Sequence, residues 1–220
     1  MNRTITVKGT GKLSVKPDYT VISLSLHSVN KVYAKAMEKA SESIEALRGA
    51  LEAVGFDRET LKTTYFNVGT EYGSRRDKNG NYQQYFVGYA VNQGLSLEFD
   101  FDTARLADTL GAIAACVAEP QLNIAFTVKD KDAVSTALLE AACANAREKA
   151  KTLARASKVK LGDLLTVDYN WGNPDLTSPT RFDMGNGIMA KACCDAEEIN
   201  IAPDDIKVSD NVTFVWEIKD

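Results

Sequence analysis

The sequence predicts an α+β fold with a mainly antiparallel sheet, three helices and the element order ββαββαβαββ. Three observations lead to this prediction. Several stretches alternate apolar and polar residues, which is the period of half-buried strands. Two other stretches repeat apolar residues every three or four positions, which is the period of amphipathic helices, and a longer alanine-rich stretch predicts a third helix. The dipeptide Asn79-Gly80 stands between two long strand patterns, and this dipeptide favours a tight hairpin turn.

The composition is that of an ordinary folded protein. Of the 220 residues, 45% are hydrophobic and 25% are charged, and the formal net charge is −4. A chain of this length can bury roughly 70% of the surface that its unfolded form exposes, so a sizeable core is expected. No long block of like charge indicates a nucleic-acid-binding arm, and we predict no nucleic-acid partner.

We predict a single domain over residues 1–220, and a division into two subdomains stays open. Residues 170–198 show no clear period and carry glycines and prolines, which predicts an irregular loop. No apolar run approaches the ~18 residues of a membrane span, and no signal-peptide core follows Met1. We therefore predict no transmembrane segment and a cytoplasmic location. A periplasmic or envelope location is the alternative if a native signal has been replaced.

Two strands open the chain. Apolar residues alternate from Ile5 to Val15 and again from Ile22 to Leu26, and the intervening sequence KPD predicts a turn. Gly9 and Gly11 predict a bend or bulge in the first strand, because glycine often marks a departure from regular pairing.

The first helix is predicted from Tyr33 to Val54. Asn30 is its predicted N-cap, and Gly55 suits the left-handed residue that closes many helices. A second helix follows Asp102, another good N-cap, and ends before Pro120.

The third and longest helix is predicted over residues 131–157, where abundant alanines predict close packing. A strand at 122–128 precedes this helix, and strands near 164–169 and 206–218 follow it. Taken alone, residues 20–128 show the order βαββαβ, which predicts a split βαβ (ferredoxin-like) unit.

The long hairpin around Asn79-Gly80 is the main surface prediction. Its second strand is predicted to place apolar side chains from Tyr85 to Phe99 on one face, which must meet helices or another subunit. A bare two-stranded ribbon is marginally stable in water, so we expect the hairpin to lie on a neighbouring subunit or another part of the sheet. A solvated tip without a partner is the alternative. The candidate contacts are Tyr72, Tyr82, Tyr85 and Phe86, with the charged tip as a polar rim.

Few residues are candidates for catalysis. His27 is the only histidine, which excludes sites that need two. Ser23 and Ser25 share its strand face, but their spacing along an extended strand is too long for a direct hydrogen bond to the imidazole. We predict no catalytic, cofactor-binding or metal-binding residues, no cofactor and no enzymatic activity.

Cysteines offer the second kind of candidate site. Cys193 and Cys194 are adjacent in the irregular loop, where two thiols could be oxidised or could bind a soft metal. Cys116 and Cys143 lie at helical positions, and the four cysteines show no spacing typical of a disulfide framework. Reduced thiols are expected, with Cys193 and Cys194 as candidate redox-sensitive residues.

Four segments, in order along the chain, resemble the SIMPL-domain family of bacterial proteins. They are ITVKGTGKLSVKPDYTVISLSL, GYAVNQGLSLEFDFDTARLADTL, AREKAKTLARASKVKLGDLLTVD and INIAPDDIKVSDNVTFVWEI. The family includes stress-associated proteins and periplasmic antigens, and some members form ring-like assemblies. The resemblance implies a SIMPL-like fold and provides no catalytic residues. The residues that match its motifs are structural positions: Gly9, Gly11, Pro17, Asp18, Gly88, Leu161 and Gly162.

Residues and resemblance together predict a non-enzymatic, self-associating protein, with a stress-related role implied by the family. The expected partner is a second copy of the chain, and any further protein or small-molecule partner is unknown. The alternative is a small-molecule or redox-responsive binding module that uses the 170–198 loop.

Overall fold

The computed structural model describes residues 3–77, 80–169, 172, 174–180, 182–183 and 201–219. Among these residues, the strands and helices follow the predicted order, with a two-residue strand, β7, as an addition. None of the described helices is long and apolar enough to span a membrane. The elements are β1 (Thr4–Val15), β2 (Tyr19–Asn30), α1 (Tyr33–Ala53), β3 (Lys62–Arg76), β4 (Tyr82–Asp100), α2 (Thr103–Ala114), β5 (Gln121–Thr127), α3 (Lys131–Ala156), β6 (Lys160–Tyr169), β7 (Phe182–Asp183) and β8 (Ile206–Lys219).

The chain divides into two compact units. The first unit comprises residues 1–18, 127–179 and 203–220, and the second comprises residues 19–126 and 180–202.

The second unit is built on a five-stranded sheet with the spatial order β3-β4-β2-β5-β7. Its core contains the inward side chains of β2, β4 and β5 together with the apolar stripes of α1 and α2. The order β3-β4-β2-β5 is the strand order of a split βαβ unit, so this prediction is confirmed. The largest fully buried side chains of this core include Ile22, Leu24, Leu47, Leu97, Leu106 and Phe126.

The helix ends of this unit agree with the predictions except at Asn30. The Asp102 carboxylate accepts a hydrogen bond from the Arg105 N–H at 2.7 Å, as an N-cap does. Gly55 has φ of +88°, which confirms the left-handed closing residue of α1. The N-cap of α1 is Val32, because β2 continues as far as Asn30. The Asn30 side chain instead accepts a hydrogen bond from the Val32 N–H at 2.9 Å.

The first unit contains a three-stranded antiparallel sheet with the order β1-β8-β6. Helix α3 packs on one face of this sheet through an alanine ridge. Its alanines share a cluster with apolar side chains of β1 and β8, namely Ala142, Ala146, Ala150, Val7, Val212, Phe214 and Trp216.

The bend predicted at Gly9 and Gly11 is wrong. Every residue from Thr4 to Val15 pairs in unbroken register with β8. A Cβ on Gly9 would lie 2.2 Å from the Ala142 carbonyl oxygen, and a Cβ on Gly11 would lie 2.1 Å from the Leu138 carbonyl oxygen. These glycines therefore allow the backbone of α3 to approach the sheet closely.

Candidate functional site

The outer part of the β3–β4 hairpin carries the candidate functional surface. We call residues 72–86 the arm. Its tip is closed by a hydrogen bond from the Asp77 N–H to the Asn81 carbonyl at 2.8 Å, and Gly80 has φ of +87°. The predicted hairpin is thus confirmed, although Asn79 itself lies outside the described residues.

A β-bulge separates the arm from the rest of β4. Glu71 pairs with Gly88, whereas the next residue, Tyr72, pairs with Phe86, so β4 has one extra residue at this point. The extra residue reverses which side chains point to each face. The prediction that one face runs unbroken from Tyr85 to Phe99 is therefore wrong, because Tyr85 lies on the face opposite to Tyr89.

On the face that α1 covers, four aromatic rings form a continuous aromatic row. Tyr33 and Tyr89 contact each other edge to face with ring centroids 5.5 Å apart. Phe86 lies 5.5 Å from Tyr89, and Tyr72 lies 5.8 Å from Phe86, again edge to face. Tyr89 also packs against a buried cluster of Ala36, Ala40 and Val91. The aromatic row therefore extends from the core of the unit onto the exposed arm.

Arginine side chains lie over the remaining tyrosines of the arm. The Arg76 guanidinium lies 5.0 Å from the Tyr82 ring centroid and donates a hydrogen bond to the Tyr82 hydroxyl at 3.0 Å. Arg75 lies 5.7 Å from the centroid of Tyr85. Cation–π attraction of this kind favours a guanidinium group that lies over the face of an aromatic ring. The arm therefore presents aromatic surface with guanidinium groups at its edge.

The four predicted contact residues are all on the arm, and each is 40% to 70% exposed. Exposed aromatic rings in one place are typical of surfaces that bind another molecule. Sequence reasoning did not include Tyr33 and Tyr89 in this surface. The aromatic residue at the start of α1 was visible in the sequence, but the bulge that aligns the rings was not.

The only histidine lies between two other polar side chains on the opposite, solvent-facing side of the sheet. His27 Nδ1 is 2.7 Å from the Asn92 Oδ1, and its Nε2 is 3.2 Å from the Glu71 Oε2. His27 is on β2, Asn92 on β4 and Glu71 on β3, so the network links three strands. Both ring nitrogens therefore face these partners, and neither faces Ser23 or Ser25. Sequence spacing could not indicate this network, because it depends on cross-strand register.

The cysteines in the described chain differ in exposure. Cys116 is buried and Cys143 is exposed. Cys193 and Cys194, together with most of the 170–198 loop, lie outside the described residues, and their redox role stays a prediction. Across the described ranges, no group of three or more His, Cys, Asp and Glu side chains is placed to hold a metal ion.

Two similar proteins are the 26 kDa periplasmic immunogenic proteins of Brucella melitensis biotype 1 and Brucella abortus strain S19. Each is 26% identical over 210 residues, which cover 96% of this chain and 83% of the relative. Both relatives are named as periplasmic proteins, and this finding contradicts the predicted cytoplasmic location. The prediction was wrong because it rested on the absence of a signal-peptide pattern.

Among solved structures, the regulatory subunit of aspartate kinase from Thermus flavus matches 97% of this chain and 90% of its own, at 8% identity. Its TM-score of 0.18 is too low to support any argument about the fold. The family comparison, by contrast, identifies the family. Residues 5–216 match the SIMPL family, described as a protein of unknown function (DUF541). The match spans all the helices and strands described above apart from a few terminal residues, and the chain therefore belongs to the SIMPL family.

Proposed function

We propose that this protein is a non-enzymatic, self-associating protein of the periplasm and that copies associate through the arm. The observation that supports this proposal most directly is the aromatic row, which continues from the core onto exposed strands. Two strands with little core beneath them are marginally stable, so covering the rings of Tyr72 and Phe86 would lower the free energy of the arm. The names of the two Brucella relatives support the periplasmic location.

The non-enzymatic part of the proposal is supported by the position of His27, because neither of its ring nitrogens faces Ser23 or Ser25. A general base needs a ring nitrogen within hydrogen-bond reach of the proton that it removes. Here one ring nitrogen faces the Asn92 amide oxygen and the other faces the Glu71 carboxylate. A stress-related role follows only from the family resemblance, and survival of a deletion strain under oxidative stress would test it.

The test of self-association is the double variant Tyr85→Asp/Phe86→Asp, which places charge on both faces of the arm. We expect the wild-type protein to have a mass well above the 24.0 kDa of one chain in light scattering at micromolar concentration and physiological salt. We expect the double variant to be monomeric with an unchanged circular dichroism spectrum. Val117→Asp is the matched control, because Val117 is 89% exposed and lies outside the arm.

Two results would contradict the proposal. One is a wild-type protein that is monomeric under these conditions. The other is a folded double variant that keeps the wild-type mass. A change in mass caused equally by Val117→Asp would show that any added surface charge disperses the protein.

A further inference from the structure

A second apolar surface lies on the edge strand β6. Leu164, Leu165 and Val167 are 49%, 46% and 51% exposed, respectively. We call these three residues the β6 strip. Only Leu161 and Tyr169, near the two ends of β6, join the cluster under α3. The β6 strip is therefore the part of this strand that α3 leaves uncovered.

At the opposite edge of the same sheet, side chains of α3 cover the backbone. Strand β1 is an edge strand, and α3 supplies side chains that bind its backbone. The Asn145 Oδ1 accepts a hydrogen bond from the Thr10 N–H at 3.0 Å, and the Lys149 Nζ donates to the Lys8 carbonyl at 3.0 Å. Covering an edge in this way limits pairing with other chains. The exposed leucines and valine of β6 thus stand on the edge opposite to the one whose backbone α3 side chains bind.

The β6 strip and the arm differ in charge. Among its described residues, the arm contains Arg75 and Arg76 and one carboxylate, Asp77. At the C-terminal end of the β6 strip, Asp168 is exposed, and the Tyr169 hydroxyl donates to Asp210 at 2.8 Å. At the other end Asp163 is already paired with Lys219 at 3.4 Å. The β6 strip is thus aliphatic with an acidic end, whereas the arm is aromatic with a cationic end.

We infer that the arm of one copy packs on the β6 strip of the next copy, in a head-to-tail contact. The inference rests on the proposed self-association through the arm and names the surface that the arm contacts. An arm-to-arm contact would place the arginines of both arms in one interface, and like charges at an interface are unfavourable. An arm-to-strip contact instead places cations near Asp168 and buries apolar side chains from both copies.

Side chains, rather than a continuous sheet, form this contact. The pairing of β6 with β8 shifts register between Leu161 and Leu164 and again between Leu164 and Thr166. The arm itself pairs regularly, and its bulge lies at its base, where it separates the arm from the rest of β4. The irregular register of β6 interrupts the regular spacing that strand addition requires. Because the two surfaces differ, a pair of copies keeps one free arm and one free strip, so the contact can continue to further copies.

A mixing experiment tests the head-to-tail contact. The arm variant is Tyr85→Asp/Phe86→Asp, and the strip variant is Leu164→Asp/Val167→Asp. We expect each variant alone to be monomeric. An equimolar mixture should form a complex of twice the 24.0 kDa chain mass and stop there, because it contains one intact arm and one intact strip. Val117→Asp is again the control and should keep the wild-type mass.

The outcomes separate this inference from the proposed function. If the arm variant is monomeric but the strip variant keeps the wild-type mass, the arm does not bind the β6 strip, although self-association through the arm stands. A mixture that stays monomeric also overturns the inference. If the arm variant keeps the wild-type mass, both the inference and the proposed function fail.

A charge-reversal pair covers the case in which the strip variant does not fold. Arg75→Glu/Arg76→Glu and, separately, Asp168→Lys should each weaken association by roughly tenfold or more, as disrupted interfacial ion pairs do. Combining all three changes in one chain restores opposite charges at every contact and should recover most of the affinity. If the combined chain loses as much affinity as the arginine changes and the aspartate change lose together, the inference is overturned.

Discussion

Gly9 lies so close to Ala142 that a Cβ built on the glycine would come within 2.2 Å of the alanine carbonyl oxygen. The neighbouring contact of Gly11 is equally tight, at 2.1 Å from the Leu138 carbonyl oxygen. Both carbonyl groups belong to the backbone of α3, which cannot rotate away as a side chain can. Glycine at these positions therefore sets the distance between α3 and β1.

We expect Gly9→Ala to destabilise the protein by about 3 kcal/mol or more, because the helix must move off the sheet to admit one methyl group. Urea unfolding followed by circular dichroism measures the loss. Gly111→Ala in α2 is the matched control, because nothing lies within 4 Å of the Cβ that it would add. A mid-helix glycine costs about 1 kcal/mol relative to alanine, so the control should be more stable than the wild type. Equal stability of Gly9→Ala and the wild type would refute this packing argument.

Much of the fold was predictable because it depends on local patterns. The alternation in β2 and the helical spacing in α1 arise because one face of each element is buried. The spacing of apolar residues along the sequence indicates that face. The Asp102 cap and the Gly55 terminator were equally local. The role of Gly9 was not, because its neighbour in space, Ala142, is far away along the chain. A glycine in a strand fits a bulge and a close approach equally well.

The arm was likewise predictable where it depends on local sequence and unpredictable where it depends on pairing between strands. Its position and its four exposed aromatic residues followed from the Asn79-Gly80 turn and the length of the flanking strands. The face of the sheet on which Tyr85 lies could not be predicted from the sequence, because one extra residue in β4 reverses the alternation of side chains. The network of His27, Asn92 and Glu71 depends on the register of three strands, which a single sequence does not specify.

A second prediction concerns the ring of Tyr85. A Cβ on Gly73 would lie 2.4 Å from the Tyr85 ring, so Gly73→Ala must displace this ring. The ring can move, so we expect an unchanged circular dichroism spectrum but self-association weakened by roughly tenfold, as for loss of one interface anchor. Gly69→Ala is the control on the same strand face, since its Cβ would make only an ordinary contact at 3.7 Å. Identical association of the two variants, measured by light scattering, would remove Tyr85 from the interface.

A third prediction uses the cysteines to test the alternative function. In the native protein, Cys143 should react quickly with a thiol reagent, and Cys116 should react only after unfolding, because one is exposed and the other buried. Cys143→Ser should remove one fast-reacting thiol. Cys193→Ser/Cys194→Ser should remove two more if these residues are the accessible redox pair. Fast thiols unaffected by the latter variant would remove the support for a redox-responsive loop.

The last prediction concerns the pH dependence of the first unit. The Tyr169 hydroxyl donates to the Asp210 carboxylate at 2.8 Å, and this hydrogen bond, together with partial burial, raises the pKa of Tyr169 above its ordinary value of 10.0. Folding therefore favours the protonated tyrosine. Its contribution to stability is fully present below pH 10.0 and is lost as the pH rises through the higher pKa of the folded state.

Tyrosinate absorbance measures the pKa of Tyr169 in the folded protein, and urea unfolding at alkaline pH measures the dependence of stability on pH. The difference in absorbance between the wild type and Tyr169→Phe should titrate above pH 10.0. Tyr169→Phe should also lose less stability than the wild type between neutral pH and this range. Asp210→Asn keeps a side chain of the same size without the charge, so it should bring the pKa of Tyr169 back toward the ordinary value. If Tyr169 ionises at or below pH 10.0 in the folded wild type, the hydrogen bond to Asp210 does not favour the protonated side chain.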